Sequence, residues 1–192
     1  MRKSVIKRKT NETDIEIELN LDGSGQTEID TGIGFLDHMI TLFGFHGSFD
    51  LKIKCLGDLN VDSHHTAEDI GIALGKAFLD SLGDKKGIER YGSMLLPMDE
   101  ALSRVAVDIS GRPYLVYNVS FNRDIIGKLA TEDFKEFFKG FVNNSLMTLH
   151  IELLYGENDH HKIEAVFKGF GRALKSACCV TSNDLKSTKG VL

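Results

Sequence analysis

No basic excess, no long apolar run, no cysteine framework and no low-complexity linker occur in these 192 residues, and each absence removes a class of function. The net charge is −5, whereas nucleic acid or an anionic membrane surface requires a basic face, so neither is expected as the main partner. No apolar stretch approaches the ~20 residues that cross a bilayer. The opening segment, MRKSVIKRKTNE, holds five basic residues but lacks the apolar middle of a secretory signal, and it reads as the solvated face of an edge strand. Cys55, Cys178 and Cys179 form no CxxC and no regular spacing, which points to a reduced, cytoplasmic setting rather than a disulfide scaffold. With 42% hydrophobic residues the chain can still bury a substantial core.

What the chain does have is repetition. His64-His65-Thr66-Ala67-Glu68 and His160-His161-Lys162-Ile163-Glu164 share the pattern HHxxE at an offset of 96 residues and use four of the seven histidines. Downstream, HHTAEDIGIALGKAF matches HHKIEAVFKGFGRAL at Glu, Gly, Lys/Arg and Ala positions. Upstream, at an offset of 98, HMITLFGFHGS from His38 lies against EFFKGFVNNSL from Glu136, and Leu51, Ile53 and Cys55 lie against Leu149, Ile151 and Leu153. Further up, LDGSGQ from Leu21 mirrors ISGRPY from Ile109, which pairs Glu12 with Glu100. Such self-similarity marks a tandem duplication, with halves at 1–84 and 85–192 and a join near residues 83–92, GDKKGIERYG. No linker of biased composition parts them, so the halves are expected to pack as one functional unit.

Local patterns give each half the same elements. TDIEIELNL, residues 13–21, alternates Ile15, Ile17, Leu19 and Leu21 with polar partners, the period of a half-buried strand, and DGSG at 22–25 predicts a hairpin turn. In the second half ALSRVAVDI, SGRP and YLVYNVSF predict another hairpin. Apolar residues at helical spacing predict helices over 64–82, with Gly83 as a stop signal, and over 160–177. Shorter helices are expected over 35–45 and 131–143, each followed by a strand, at 50–56 and 147–154. The fold class is therefore α+β, a duplicated unit of roughly four strands and two helices with the sheet covered by helices on one face.

Imidazole and carboxylate are metal ligands, and a pattern written twice suggests a site built twice. Helical positions three and four apart share a face, so Glu68 meets His65 or His64, and Glu164 meets His161 or His160. Adjacent histidines diverge by about 100° around the axis, so one dyad must serve two sites. The pseudo-symmetry predicts one site from His65, Glu68 and His160, and its mirror from His161, Glu164 and His64. His38 joins the first, and its repeat partner is Glu136. Three or four protein ligands leave positions open for substrate, as in catalytic sites, and the mixed donors suit Mn, Fe, Co or Zn. The alternative is histidines bonded to backbone at a helix start, with Glu completing a capping box; two copies in register disfavour it.

GIGFLDHMITLFGFHGSFDL, GDLNVDSHHTAEDIGIALGKA, RYGSMLLPMDEAL, DISGRPY, MTLHIELLYGENDHHKIEAVFKGFGRAL and STKGVL together resemble the imidazoleglycerol-phosphate dehydratase family of histidine biosynthesis, over essentially the whole chain. The resemblance implies duplicated α+β halves of the ribosomal protein S5 domain 2-like kind and two manganese ions per active site, other divalent transition metals being possible. It also implies a homo-oligomer, a 24-subunit shell with metals between subunits, in which His38, His65, Glu68 and His160 hold one ion and His64, His161 and Glu164 the other. Many relatives carry a histidine where this chain has Glu136, so that either Glu136 ligates through oxygen or water takes the place. Family placement further implies Glu12 as a substrate contact and first candidate for proton transfer, with His46 and Asp99 as secondary candidates. Arg90, Arg112, Lys168, Ser187 and Lys189 fall at substrate-contacting positions, and an acidic protein needs such dedicated cations for a phosphate. The polar tail, TSNDLKSTKGVL, reads as a mobile segment that closes over substrate.

The family's reaction removes water from D-erythro-imidazoleglycerol phosphate to give imidazole acetol phosphate. The proton lost is not adjacent to a carbonyl, so the imidazole ring is the only electron reservoir. The expected mechanism has the metals grip the ring nitrogens and favour its imidazolate. The ring then expels the adjacent hydroxyl, a base takes the neighbouring carbon's proton, and the enol becomes a ketone. Two rival readings are a metal-organised storage or structural shell, which the cationic set disfavours, and a dinuclear hydrolase, which would release phosphate from esters.

Overall fold

Alternating apolar residues decide how each sheet lies. In the computed structural model, which describes residues 2–192 and leaves Met1 of the opening segment outside them, β2 (Thr13–Asn20) buries Thr13, Ile15, Ile17 and Leu19 and exposes the acidic residues between. It pairs antiparallel with β1 (Lys3–Lys9), which takes the sheet edge expected of the basic segment, and with β4 (Asp50–Gly57), which buries Leu51, Ile53 and Cys55. β3 (Thr27–Asp30) joins β4 in parallel, giving the order β1-β2-β4-β3. The second half repeats this as β5-β6-β10-β7, from β5 (Tyr91–Met98), β6 (Ala101–Asp108), β7 (Tyr114–Asn118) and β10 (Thr148–Tyr155).

This order corrects both expected hairpins. The turns after β2 and β6 exist, but β4 lies between β2 and β3, and β10 between β6 and β7. β4 offers three buried apolar residues and β3 only the half-buried Ile29, so β4 takes the central place. β3 then reaches it in parallel through a crossover helix, α1 (Gly34–Gly47). The true hairpins are β1–β2 and β5–β6. The other expected helices occur as α2 (His64–Leu82), α3 (Asp133–Ser145) and α4 (Asp159–Cys178). A two-residue ribbon, β8 (Ile125–Ile126) with β9 (Leu129–Ala130), was not legible in the sequence pattern.

Each sheet lays its dry face on helices, α2 on β1 and β2, α4 on β5 and β6. The shorter helix of each half packs on the longer helix of the other, α1 on α4 and α3 on α2, so one core runs through both halves. Phe43 of α1 stacks on Phe170 of α4 at 4.9 Å, and Phe78 of α2 meets Phe141 of α3 edge-on at 5.4 Å. Aromatic pairs of this kind add about 0.5–1.5 kcal/mol each beyond area burial. Glycine permits the close approach: a Cβ at Gly75 would stand 2.3 Å from the Phe141 carbonyl oxygen, and one at its repeat mate Gly171 would stand 2.4 Å from that of Phe43.

Candidate active site

Crossed helix packing delivers donors from both halves. His160 and Glu164 lie one turn apart on α4, and the α1 surface seated against them carries His38. Glu164 Oε1 is 2.9 Å from His38 Nε2 and 3.0 Å from His160 Nε2. One ligand atom from each residue falls within 4.8 Å of the others. Two imidazoles and a carboxylate in that span fit one divalent transition ion. Lys168, a turn further on, sets Nζ 2.5 Å from Glu164 Oε2 and 3.2 Å from Met98 Sδ. Burial alone raises the Glu164 carboxyl, but hydrogen bonds from Lys168, His38 and His160 outweigh it and hold its pKa at about 2. Phe35 walls the site, its ring edge-on to His160 at 5.0 Å.

The repeat mates form a looser counterpart. His64 Nε2 lies 3.6 Å from Glu68 Oε2 on α2, and His64 Nδ1 lies 3.4 Å from Asp133 Oδ1 at the start of α3. Glu136 is bonded to Lys139 at 2.8 Å and shares with His64 and Arg123 the wall of a cleft of about 620 Å³.

The second histidine of each dyad stands apart. His65 Nδ1 is 3.0 Å from Asp58 Oδ2, and its Nε2 is 3.7 Å from Glu12 Oε1. His161 Nδ1 is 2.7 Å from Glu100 Oε2, and its Nε2 is 3.8 Å from Asp99 Oδ2. Both imidazoles have raised pKa values, His65 chiefly through Asp58 and His161 chiefly through Glu100. Glu100 is itself held at about 2, first by His161 and then by the Asn158 amide.

Within one chain the grouping therefore differs from the expected one. His160 joins Glu164 and His38, not His65 and Glu68; His64 faces Glu68, not His161 and Glu164. The i, i+4 relation puts the first histidine on the glutamate's face, and the second, rotated by about 100°, turns to loop carboxylates. His46, in the last turn of α1, is kept towards the neutral form by burial and then by the charges of Lys168 and Arg172.

The expected cations divide into two groups. Lys168 stays with the His38 triad, whereas Arg90 donates to both Asp108 oxygens, at 2.7 and 3.2 Å, and to the Lys186 carbonyl at 2.8 Å. Arg112 approaches the same Asp108 at 4.0 Å with its side chain mostly exposed. Ser187 Oγ accepts the Lys189 amide at 3.3 Å, so the tail, Arg90 and Arg112 share one end of β6. Among the described residues no hydrogen bond or ion pair joins the two groups. Asp58 was not foreseen because it lies in a loop outside any periodic pattern, and Asp133, inside the helix expected over 131–143, was not foreseen because its repeat mate is Phe35 and no doubled ligand pattern marks it. Glu100 was signalled only as the repeat mate of Glu12.

The imidazoleglycerol-phosphate dehydratase family matches residues 31–174. A protein of that name from Clostridioides difficile is 62% identical over 192 residues, covering 100% of both chains. One from Clostridium botulinum is 56% identical over 188 residues, 97% of this chain and 96% of that protein. The crystal structure of the Staphylococcus aureus dehydratase superposes with a TM-score of 0.82 at 46% identity, over 93% of this chain and 99% of that one. The Pyrococcus furiosus structure gives 0.85 at 42%, over 97% and 100%. No helix among the described residues is long and apolar enough to cross a membrane.

Proposed function

The chain belongs to the imidazoleglycerol-phosphate dehydratase family, hydro-lyases of histidine biosynthesis, and from that premise we propose that it converts D-erythro-imidazoleglycerol phosphate to imidazole acetol phosphate with two manganese ions per active site. The triad of His38, His160 and Glu164 carries this reading, and His64 with Glu68 repeats its histidine–glutamate pair on the other long helix. The triad would hold one ion, and His64, Glu68 and Glu136 would supply donors for the other. His65 and His161 turn their Nε2 away from that triad, and in a homo-oligomer, a 24-subunit shell with metals between subunits, each would complete a site with a neighbouring copy. The halves 1–84 and 85–192 act as one unit because the triad takes His38 from the first and His160 and Glu164 from the second. Unpaired Cys55, Cys178 and Cys179 accord with a cytoplasmic setting.

When bound, the ions supply the Lewis acidity that lets the substrate's ring serve as electron reservoir. The protein supplies positioning and proton traffic. Lys168 locks Glu164 by its Oε2, which leaves Oε1 for ligation. Glu12 is the first proton carrier: its carboxylate is half exposed and makes no hydrogen bond among the described residues. His46, shifted towards the neutral form by burial, would accept a proton, and Asp99, at φ +47 in the β5–β6 turn, would serve beside His161. Arg112, Ser187 and Lys189 bind the phosphate, and Arg90 ties the tail to β6 while adding its charge.

Incubating the metal-loaded protein with imidazoleglycerol phosphate and following product absorbance tests the reading. Manganese-dependent imidazole acetol phosphate with no release of inorganic phosphate is expected. A metal-loaded protein that leaves this substrate intact would overturn it.

A further inference from the structure

The two repeats hold their outlying histidines with carboxylates that are not repeat mates. Glu100 spends its whole carboxylate on structure: Oε1 accepts the amides of Glu157 and Asn158 at 3.1 and 2.7 Å, and Oε2 accepts His161 Nδ1 at 2.7 Å. Its mate Glu12 does none of this. The place is taken by Asp58, whose Oδ2 lies 3.0 Å from His65 Nδ1 and whose amide donates to the Glu12 carbonyl at 3.0 Å. A β-bulge in β10 moves the repeat register on by one after Leu153, so that Tyr155 pairs with Leu102 as Leu56 pairs with Asp14; the mate of Asp58 is then Glu157, which is exposed and whose carboxylate makes no hydrogen bond among the described residues.

Asp58 carries a cost that a passive loop residue would not. Its Oδ1 is buried without a hydrogen-bond partner. In a partly buried carboxylate, one oxygen left without a partner calls for an explanation. An Nδ1–H donated to a carboxylate fixes the ring and leaves Nε2 as the ligating atom, the arrangement that metal-binding histidines need.

We infer that the repeats divide one task differently: Asp58 orients His65 and Glu100 orients His161, and Asp58 thereby releases Glu12 from the orienting duty its repeat mate performs, leaving it free to move protons. Asp58 and Glu100 are positioning residues, and Glu12 acts on the substrate. This rests on the metal-site reading above.

The test is manganese binding by equilibrium dialysis on the full assembled protein, with turnover measured in parallel and far-UV circular dichroism as a folding check. Loss of a carboxylate partner behind a metal-bound histidine typically weakens affinity by about 10–100-fold. Asp58→Ala and Glu100→Ala should each weaken manganese binding on that scale, with Asp58→Asn, which keeps an acceptor for Nδ1–H, falling in between. Glu12→Gln should leave manganese affinity at the wild-type value while turnover collapses. The division of labour is refuted if Glu12→Gln weakens manganese binding as much as Asp58→Ala, or if Asp58→Ala binds as tightly as wild type while His65→Ala does not. If His65→Ala also binds normally, the metal-site assignment falls rather than the division of labour.

Discussion

Replacing Gly171 by alanine adds one methyl group at the point where α4 touches α1. The new Cβ would lie 2.4 Å from the Phe43 carbonyl oxygen and 3.1 Å from the Gly47 nitrogen. Non-bonded contacts settle near about 3.5 Å, so the helices must part by roughly 1 Å. Alanine gains about 1 kcal/mol over glycine in helix propensity. Overpacking costs about 1–3 kcal/mol, and the upper end or beyond applies because a backbone oxygen, not a flexible side chain, stands in the way. The net is a loss of about 2 kcal/mol, or about 4–8 °C in Tm for a chain of this size. Thermal unfolding should be followed at one fixed protomer concentration in chelator, since oligomers and bound metal shift apparent stability. Gly34→Ala, at the start of α1 with nothing within 4 Å, is the neutral control. The same substitution draws His38 away from Glu164, now 2.9 Å apart, so manganese affinity should fall with stability. A Gly171→Ala protein as stable as wild type, binding manganese equally well, would refute both the close approach and its link to the site.

Three further outcomes follow from the same geometry. Asp159 is buried against Lys162 at 2.7 Å and accepts the amides of Asn122 and Arg123, each at 2.9 Å; burial raises its carboxyl, but these partners bring it below its ordinary value. A carboxyl depressed by folding contributes stability above its unfolded pKa near ~3.9 and loses it as pH falls through the folded value, so unfolding free energy measured between about pH 5 and 2 should drop in wild type. That slope should flatten in Asp159→Asn, which should also lose about 3–5 kcal/mol at neutral pH by leaving Lys162 buried without its partner. Glu164→Gln removes the carboxylate shared by His38, His160 and Lys168, and calorimetric manganese titration should show a larger loss than any orienting variant. Arg112→Gln, at a mostly exposed side chain, should leave Tm unchanged while raising KM for the phosphate substrate about 10–100-fold, the value of a charged hydrogen bond.

Long periodic segments were legible because their pattern and their burial have the same cause. α2 runs from His64 to Leu82 as its spacing predicts, with Gly83 at φ +58 beyond its end. Strand neighbours were not legible, because adjacency is decided by competition among strands for the central place, and DGSG or SGRP reports only that the chain turns. The HHxxE dyads disclosed a helix face of paired donors but not which histidine lies on it. That choice is made by the helix start, where the His160 amide donates to the Asn158 side chain and the His64 amide to Asp62, setting the first histidine over its glutamate. Asp58 escaped notice because it lies seven residues before its partner in a loop, where no period relates sequence distance to contact.

Proton positions in the triad set the terms on which a cation enters. With Glu164 ionised, the 2.9 and 3.0 Å contacts make each Nε2 of His38 and His160 a donor to Oε1, while a metal needs those same nitrogens as lone-pair ligands. Binding of a cation would therefore move each proton to Nδ1 or release it to solvent. Lys168 is unaffected by this exchange, since it holds Oε2, and its charge offsets the carboxylate whether or not a cation is bound. Without a metal the four groups satisfy one another, and no bare carboxylate is left buried to push the helices apart. The crossed packing of α1 on α4 can thus form first and present its donors already within reach, which reduces the ordering that metal binding would otherwise have to drive.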